Sequence, residues 1–422
     1  MMIKHLFKII WNQRKSNVWI LTELMLVSVC LWYIIDYMSV LSTIVRTPLG
    51  FDITDTYRVD INERTPDSDN YLDPATKETT TGQDLLTIME RIRQYPAVEE
   101  VSLSIGSQPY AATHYTNQIY YNRLFYKDTV GVTMQRYKVT PSFFRVFRIE
   151  REGGNGPTLA DALDVRSIVL SANGAAELLP GENAVGKSLQ IGKDGYFKEV
   201  KALCTPIRWT EYEKSRPCFY TLLPEDEIAG EMSSNDLANM ELCVRIRPDA
   251  ALRFSDEFRR DMATQLSVGN LYMIDVRPSS LIKRAVVSPV LSDIRMRLFL
   301  LFFLVVNIFL GISGTFWFRT QHRRGEMGLR VALGSTSQGL RTLLISEGLV
   351  MLFLAMLPAV IICFNLGVAE LVNIYWADFT LPRFLIGTVL TCLLMSLMII
   401  SGILYPAWRA MKMEPAEALH YE

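Results

Sequence analysis

One stretch of the sequence combines residue types and a spacing that could bind phosphate. From Gly181 to Ser188 it reads GENAVGKS and fits G-x-x-x-x-G-K-[ST], whose backbone N–H groups and lysine hold nucleotide phosphates. A working loop of this kind follows a strand and opens a helix, so that the helix N-terminus faces phosphate. Here a helix-like segment at residues 171–179 comes first and a strand-like segment at residues 189–192 follows. We interpret the match as a helix-to-strand turn and predict that it binds no nucleotide.

Other reactive side chains do not form a recognisable site along the sequence. No two cysteines form a C-x-x-C pair, and the histidines are too scattered for a metal site. Cys204 and Cys218 are near enough in sequence to suggest a hairpin disulfide, but buried free thiols explain them equally well. We predict no catalytic residue, no cofactor and no metal on this chain. The histidines and cysteines of the chain are His5, His114, His322, His420, Cys30, Cys204, Cys218, Cys243, Cys363 and Cys392.

The composition bounds the class of protein. The chain has 422 residues, half of them hydrophobic, and a formal net charge of −1. The length predicts two or three folded units. The hydrophobic share is typical of a membrane protein with a sizeable soluble part. No block of like charge suggests a nucleic-acid partner, so none is expected.

Four apolar runs are candidates for membrane spans. Three of them, at residues 298–318, 348–369 and 384–408, are uncharged and exceed the roughly 20 residues that a spanning helix needs. Near the end of the last run, Pro406 disfavours a simple continuation of the helix. The fourth run, at residues 18–41, could instead be a cleaved signal peptide, but it is too long and lacks an A-x-A-type cleavage site. We predict a retained helix there.

The predicted organisation alternates helices with segments on either side of the membrane. It comprises a cytoplasmic segment at 1–17, span 1 at 18–43, an extracytoplasmic domain at 44–292, span 2 at 296–318, a cytoplasmic coupling loop at 319–341, span 3 at 342–369, a short outer loop at 370–383, span 4 at 384–406 and a cytoplasmic tail at 407–422.

Two carboxylates interrupt the first apolar run. Glu23 and Asp36 lie near its two ends. They either reach the two membrane interfaces or form intramembrane charges with functional partners. Their positions near the ends favour the interfaces.

Basic residues in the short flanks predict the orientation, because cytoplasmic loops are enriched in Lys and Arg. With four spans, both termini and the Arg-rich loop are predicted to be cytoplasmic, and the large domain lies outside. The cytoplasmic set is Lys4, Lys8, Arg14, Lys15, Arg319, Arg323, Arg324, Arg330, Arg341, Arg409 and Lys412, whereas the short outer loop has only Arg383.

The outer segment has the pattern of a folded α+β domain. Strand-like alternation, a helical stripe and a second strand follow one another over residues 51–105, and the same order recurs over residues 241–276. Two β-α-β units of this kind predict a split ferredoxin-like sandwich with helices on one face of a sheet. The insertion between them, at about residues 110–236, has short alternating runs and turn clusters, which predict a mostly β subdomain.

The basic loop after span 2 has the pattern of a short helix on the inner face. Glu326 and Arg330 form a favourable i, i+4 pair, and Gly334 is suited to end that helix. Ser335 and Gln338 resemble a capping box that starts the next helix. The helix either rests on anionic lipid or docks a cytoplasmic partner.

At these residues the sequence resembles the MacB/FtsX-type ABC transporter permeases. Their loop motif is approximately R-R-x-E-I-G-I-R-R-A-L-G-A, and their C-terminal motif approximately P-A-x-R-A-x-x-x-x-P-A-E-A-L-R-x-E. A third similarity covers residues 167–188, including GENAVGKS, so the resemblance extends over nearly the whole chain. The matching residues in the first two motifs are Arg323, Arg324, Glu326, Gly328, Arg330, Ala332, Leu333, Gly334, Pro406, Ala407, Arg409, Ala410, Pro415, Ala416, Glu417, Ala418, Leu419 and Glu422.

The resemblance implies a permease subunit in the bacterial cytoplasmic membrane that is not itself an enzyme. ATP would be bound by a separate cytoplasmic ATPase, and the permease would pair with a second copy or a homologue. Membrane lipids and a periplasmic adaptor complete the expected partners. In such mechanotransmission complexes the inner loop and the first two helices relay ATPase motion to the outer domain, for export or efflux of a substrate. The implied ATPase-coupling residues are Arg324, Glu326, Met327, Gly328, Leu329, Arg330, Val331 and Gly334.

Two other functions remain open at this point. The chain could be a membrane-anchored sensor or scaffold whose outer domain binds a ligand or a wall hydrolase without transport. It could also be an enzyme with an outer catalytic domain, although the sequence displays no reactive cluster for one.

Overall fold

The protein divides into two compact units. The computed structural model describes residues 14–411 apart from 74–75, 112–114, 123–128, 154–155, 193–194, 323–335 and 373–376. The outer unit is Thr47–Val290, compared with the predicted domain at 44–292, and the membrane unit combines Met1–Arg46 with Leu291–Glu422.

One half of the outer unit has the predicted ferredoxin-like topology. Its four strands lie in the order β10-β1-β9-β2, and every neighbouring pair is antiparallel. The two strands of each β-α-β unit therefore lie on either side of one strand from the other β-α-β unit. This confirms the split arrangement. The elements are β1 (Thr56–Glu63), α2 (Thr81–Arg93), β2 (Val98–Ile105), β9 (Met240–Ile246), α7 (Phe254–Met262) and β10 (Leu271–Pro278).

Helix α2 begins at a capping box and buries one stripe. Thr80 Oγ1 accepts from the N–H of Gln83, and Gln83 Oε1 accepts from the N–H of Thr80, both at 3.1 Å. The apolar stripes of α2 and α7 pack into one core with the facing strands, as their spacing predicts. The buried residues that α2 and α7 contribute to this core are Leu85, Ile88, Met89, Ile92, Phe254, Phe258 and Met262.

The insertion is mostly β, as predicted, but it does not form a separate sheet. Its strands continue the ferredoxin-like sheet, because β2 pairs with β4 through Ser104 and Val139. From β4 the order runs β3-β6-β7-β5-β8, and β8 pairs back with β4, which closes a six-stranded barrel. The strands are β3 (Tyr115–Asn122), β4 (Thr129–Val139), β5 (Ser167–Ser171), β6 (Ser188–Ile191), β7 (Tyr196–Cys204) and β8 (Cys218–Leu222).

Among the described residues, four short helices lie between β4 and β9. Helix α4 contributes Ala175 and Leu178 to the barrel core. The short helices are α3 (Phe143–Val146), α4 (Ala172–Leu178), α5 (Glu225–Ile228) and α6 (Ser234–Asn239).

The two cysteines with a suspected disulfide are free thiols. Cys204 and Cys218 are both fully buried. Cys204 pairs in register with Ser171, whose Oγ accepts from the N–H of Cys218 at 2.9 Å. The end of β5 thus lies between the two cysteine strands, and burial accounts for both residues.

The membrane unit contains the four predicted helices. Each is long and apolar enough to cross a bilayer. They are α1 (Arg14–Arg46), α8 (Ser279–His322), α9 (Ser337–Val368) and α10 (Leu381–Met411). Helix α8 starts in the outer unit and runs for 44 residues without a break.

Two helix boundaries differ from the sequence-based expectation. The N-cap of α9 is Thr336, whose Oγ1 accepts from the N–H of Gly339 at 3.2 Å, so the predicted cap at Ser335 is wrong by one residue. Helix α10 continues through Pro406 to Met411, although proline was expected to interrupt it. Spanning helices tolerate proline because neighbouring groups satisfy the freed carbonyl.

Candidate functional site

One loop of the outer unit holds both segments that connect this unit to membrane helices. The loop at residues 206–213, here called the clamp loop, contacts the segment that follows α1 and the first turns of α8.

Arg208 ties the clamp loop to the entering segment. Its guanidinium is 2% exposed. Nη1 donates to the carbonyl of Thr47 at 2.5 Å, Nη2 to that of Glu211 at 2.5 Å, and Nε to that of Glu213 at 2.7 Å. The N–H of Arg208 also donates to the carbonyl of Leu49 at 3.0 Å. The three bonds of the planar guanidinium and the one from the backbone together fix the direction in which the chain enters.

Glu211 ties the same loop to the departing helix. Its Oε1 accepts from the ammonium of Lys283 on α8 and from the hydroxyl of Tyr110 at 3.0 Å. The Lys283 ammonium also lies 5.7 Å from the centre of the Tyr110 ring. Burial acts to raise the pKa of Glu211, but the bonds from Lys283 and Tyr110 outweigh it and leave the pKa below its usual value. The carboxylate is therefore held in its charged form.

A second buried arginine fixes the rest of the entering segment. Arg245 on β9 is 2% exposed. It donates to the carbonyls of Val146 at 2.6 Å, Thr54 at 2.7 Å and Asp52 at 2.8 Å. The segment from residue 47 to 54 is thus anchored to the central sheet as well as to the clamp loop.

A direct bond joins the two connections. Thr56 Oγ1, at the start of β1, donates to Ser279 Oγ, at the start of α8, at 2.8 Å. Both residues are buried. Entry and exit of the chain therefore share one polar junction, made of the clamp loop, the segment 47–56 and the start of α8.

Opening this junction would be costly. Several buried carbonyls accept hydrogen bonds within it, and a buried polar group left without a partner costs about 1–3 kcal/mol. Pulling the entering segment away would break several such bonds together.

The GENAVGKS stretch lies at the predicted kind of turn. It follows α4 and leads into β6. The N–H of Gly186 donates to the carbonyl of Val200 at 2.8 Å, and the N–H of Lys187 to that of Ala184 at 3.1 Å. The Lys187 ammonium pairs with Glu182. These groups are engaged within the protein, which supports the turn interpretation; nucleotide binding at this site stays a matter for experiment.

The predicted ATPase-coupling residues lie outside the described residues. Their role stays a prediction. They are Arg324, Glu326, Met327, Gly328, Leu329, Arg330, Val331 and Gly334, all within 323–335.

In the membrane unit, Asp36 is buried among the helices and has a charged partner. It is 1% exposed and forms a bidentate pair with Arg383, from Nε to Oδ1 at 2.7 Å and from Nη2 to Oδ2 at 2.6 Å. Asp36 thus has the charged partner that the second alternative requires, and its depth relative to the membrane interface stays a prediction. Glu23 is half-buried and lies 3.4 Å from Thr315 Oγ1.

Sequence reasoning missed the junction. No motif contains the junction residues Arg208, Glu211, Lys283 and Arg245. The local sequence also does not distinguish a buried arginine from an exposed one. Asp36 alone gave a signal, because a carboxylate inside an apolar run is costly without a partner.

The fold and the junction define a class of protein. It is a membrane protein with four spanning helices and a large extracytoplasmic domain of mixed α/β structure, in which both chain connections share one buried polar clamp.

Family comparison identifies the membrane part. Residues 298–415 match the family model described as FtsX-like permease C-terminal. This match supports the expected relation to the MacB/FtsX-type permeases. None of the curated proteins matches the chain.

Solved structures are similar to the outer domain. A domain of a permease protein from Porphyromonas gingivalis is 15% identical, with a TM-score of 0.34, over 54% of this chain and 92% of that one. The periplasmic region of MacB from Actinobacillus actinomycetemcomitans is 12% identical (TM-score 0.33; 58% and 97%). The extracellular domain of the noncanonic ABC-type transporter YknZ from Gram-positive bacteria is 13% identical (TM-score 0.31; 52% and 100%). Values this low carry no functional argument.

Proposed function

We propose that this chain is the permease of a mechanotransmission complex of the MacB/FtsX type. A separate cytoplasmic ATPase hydrolyses ATP, and the permease converts that work into movement of its outer domain, for export or extraction of a substrate. The permease pairs with a second copy or a homologue, and both termini and the coupling loop face the cytoplasm.

The observation that carries the proposal is the clamped junction. Arg208 donates a hydrogen bond to the segment that follows α1, and Glu211 on the same loop forms an ion pair with Lys283 at the start of α8. Helices that only anchored the outer domain would need no such bonds, because a flexible linker would suffice. A chain that relays helix movement to its outer domain requires a rigid connection of this kind.

The first test addresses transmission. Arg208→Met removes the guanidinium and leaves the carbonyls of Thr47, Glu211 and Glu213 without their donor. The matched control is Arg216→Met, since the Arg216 side chain is half exposed. Hydrogen–deuterium exchange of residues 47–63 is measured in the purified complex with and without ATP.

We expect an ATP-dependent change in exchange in the parent protein and in Arg216→Met, and its loss in Arg208→Met while the ATPase still co-purifies. An ATP-dependent change in exchange that persists in Arg208→Met would show that the clamp loop does not take part in transmission. No ATP response in the parent protein would favour a static scaffold.

The second test addresses docking. Glu326→Lys combined with Gly334→Val reverses a charge and strains the end of the predicted coupling helix. We expect ATPase co-purification to be lost while the permease is still expressed and inserted. Undiminished co-purification would refute docking through this loop.

A further inference from the structure

A buried ion pair joins the first and last helices of the membrane unit. Arg383 lies in the first turn of α10, and both oxygens of Asp36 on α1 accept from it. Its remaining Nη1 donates to the carbonyl of Ala377 at 2.7 Å. One side chain thus connects α1, α10 and the loop that leads into α10.

Neither charge is stable at this place without the other. A cation in the first turn of a helix is opposed by the helix dipole. A carboxylate buried among membrane helices has no water to solvate it. Separating Asp36 from Arg383 would leave two buried, unpaired charges, which is far more costly than breaking a surface pair.

Apolar packing joins the same helices and α9. Trp32 of α1 contacts Phe384 of α10, with ring centres 5.8 Å apart, and Cys363 of α9 completes this cluster. A second core joins the same three helices around Leu31, Met351 and Met395, and from α8 the half-buried Val305 packs against it. About a third of the most apolar stretch is buried in α9 and in α10.

Helix α8 is held much less tightly. Among its described residues, none in its most apolar stretch is buried. A cavity of about 410 Å³ lies between it and α1, lined by Tyr33, Ile34 and Tyr37 on one side and Leu300, Leu301 and Leu304 on the other. At its edge the Arg297 guanidinium of α8 lies 5.4 Å from the centre of the Tyr37 ring. The polar contact between Thr315 and Glu23, at 3.4 Å, is a weak one.

We propose that Asp36 and Arg383 are positioning residues that lock α1, α9 and α10 into one body, so that α8 is the helix that moves against it. This inference rests on the proposed function for the source of the motion. It adds which helix moves and which residues hold the others still.

The test measures distances between spin labels in the full chain with its ATPase, after Cys30 and Cys392, the two exposed cysteines, are replaced by serine. One label pair joins α1 to α10 through Val45→Cys and Leu385→Cys. The other joins α1 to α8 through Val45→Cys and Met296→Cys. All three labelled positions are exposed.

On trapping with ATP, we expect the α1–α10 distance to stay within about 2 Å, the size of an ordinary helix shift, and the α1–α8 distance to change by more. A shift of α1–α10 equal to or larger than that of α1–α8 would overturn the proposal. This comparison needs no variant of the ion pair, and co-purification of the ATPase shows separately whether the proposed function stands.

Variants test the role of the pair. Asp36→Asn and Arg383→Gln should each broaden the α1–α10 distance distribution even without nucleotide, and the reversed pair Asp36→Arg with Arg383→Asp should narrow it again. A purely local structural role would leave the ATP-dependent change of α1–α8 intact in the single variants, whereas we expect it to be reduced. Unchanged distributions in both single variants would refute the lock.

Discussion

A Cβ atom added to Gly50 would lie 2.5 Å from the carbonyl oxygen of Pro206. Gly50 belongs to the segment that enters the outer domain, and Pro206 begins the clamp loop. The φ angle of Gly50 is +83°, which side chains rarely adopt. The close approach of two backbones thus underlies the hydrogen bonds of Arg208.

Gly50→Ala should loosen the clamp. Left-handed strain costs about 1–3 kcal/mol, and the contact with Pro206 forces the backbones apart in addition. We expect the Tm of the full chain in detergent to fall by several degrees.

Gly181→Ala is the matched control, because Gly181 has φ +76° and no atom within 4 Å of the added Cβ. It should show the strain alone, and therefore a smaller loss. Equal losses for the two variants would mean that the contact with Pro206 contributes nothing.

Acid should weaken the junction through Glu211. The bonds from Lys283 and Tyr110 hold the pKa of Glu211 below its usual 4.5, against the effect of burial. A depressed pKa contributes stability that is present above the usual value and is lost as the pH falls through the folded-state pKa. The Tm should therefore fall below pH 4.5, and Glu211→Gln should flatten that part of the profile. If the Tm of Glu211→Gln falls below pH 4.5 as much as that of the parent protein, Glu211 is not the cause of the loss.

Glu241 should act in the opposite direction. Burial raises its pKa above the usual 4.5, although the N–H groups of Gln108 and Ser107 donate to it at 2.7 Å and partly offset the shift. Its contribution is fully present below pH 4.5 and is lost as the pH rises through the raised pKa.

Glu241→Gln keeps an acceptor for these N–H groups and removes the charge. We expect it to abolish the loss of Tm on going from pH 4.5 to neutral pH, whereas Glu99→Gln, at an exposed position, should leave that loss in place. A parent profile without this loss would show that Glu241 does not titrate in the predicted direction.

The GENAVGKS turn should not bind nucleotide. Its lysine, Lys187, pairs with Glu182, and the N–H of Gly186 is bonded to β7. Equilibrium binding of ATP to the purified permease without ATPase should show no saturable component, and Lys187→Ala should not alter the titration. Micromolar binding that disappears in Lys187→Ala would establish a nucleotide site.

Much of the ferredoxin-like half follows from local sequence. The stripe of Leu85, Ile88 and Ile92 has helical spacing, and alternation marks β2 at its observed bounds. Two β-α-β units admit few sheet orders once each helix must cover the sheet.

The barrel was less accessible to sequence reasoning. The pairing of β8 with β4 joins Cys218 to Gln135 across a long stretch of chain, and no local pattern records such a partner. Strand β8, the five residues directly after Pro217, gives no local signal because a short buried run has no clear period.

The sequence by itself determined the four spanning helices, the two β-α-β units and the turn nature of GENAVGKS, because each depends on hydrophobic period and neighbouring residues. Only the tertiary structure decided that Arg208 meets Thr47, that Glu211 meets Lys283 and that Asp36 meets Arg383. These pairs are far apart in sequence. A buried charge is stable only where the fold brings its partner, and the fold is a property of the whole chain.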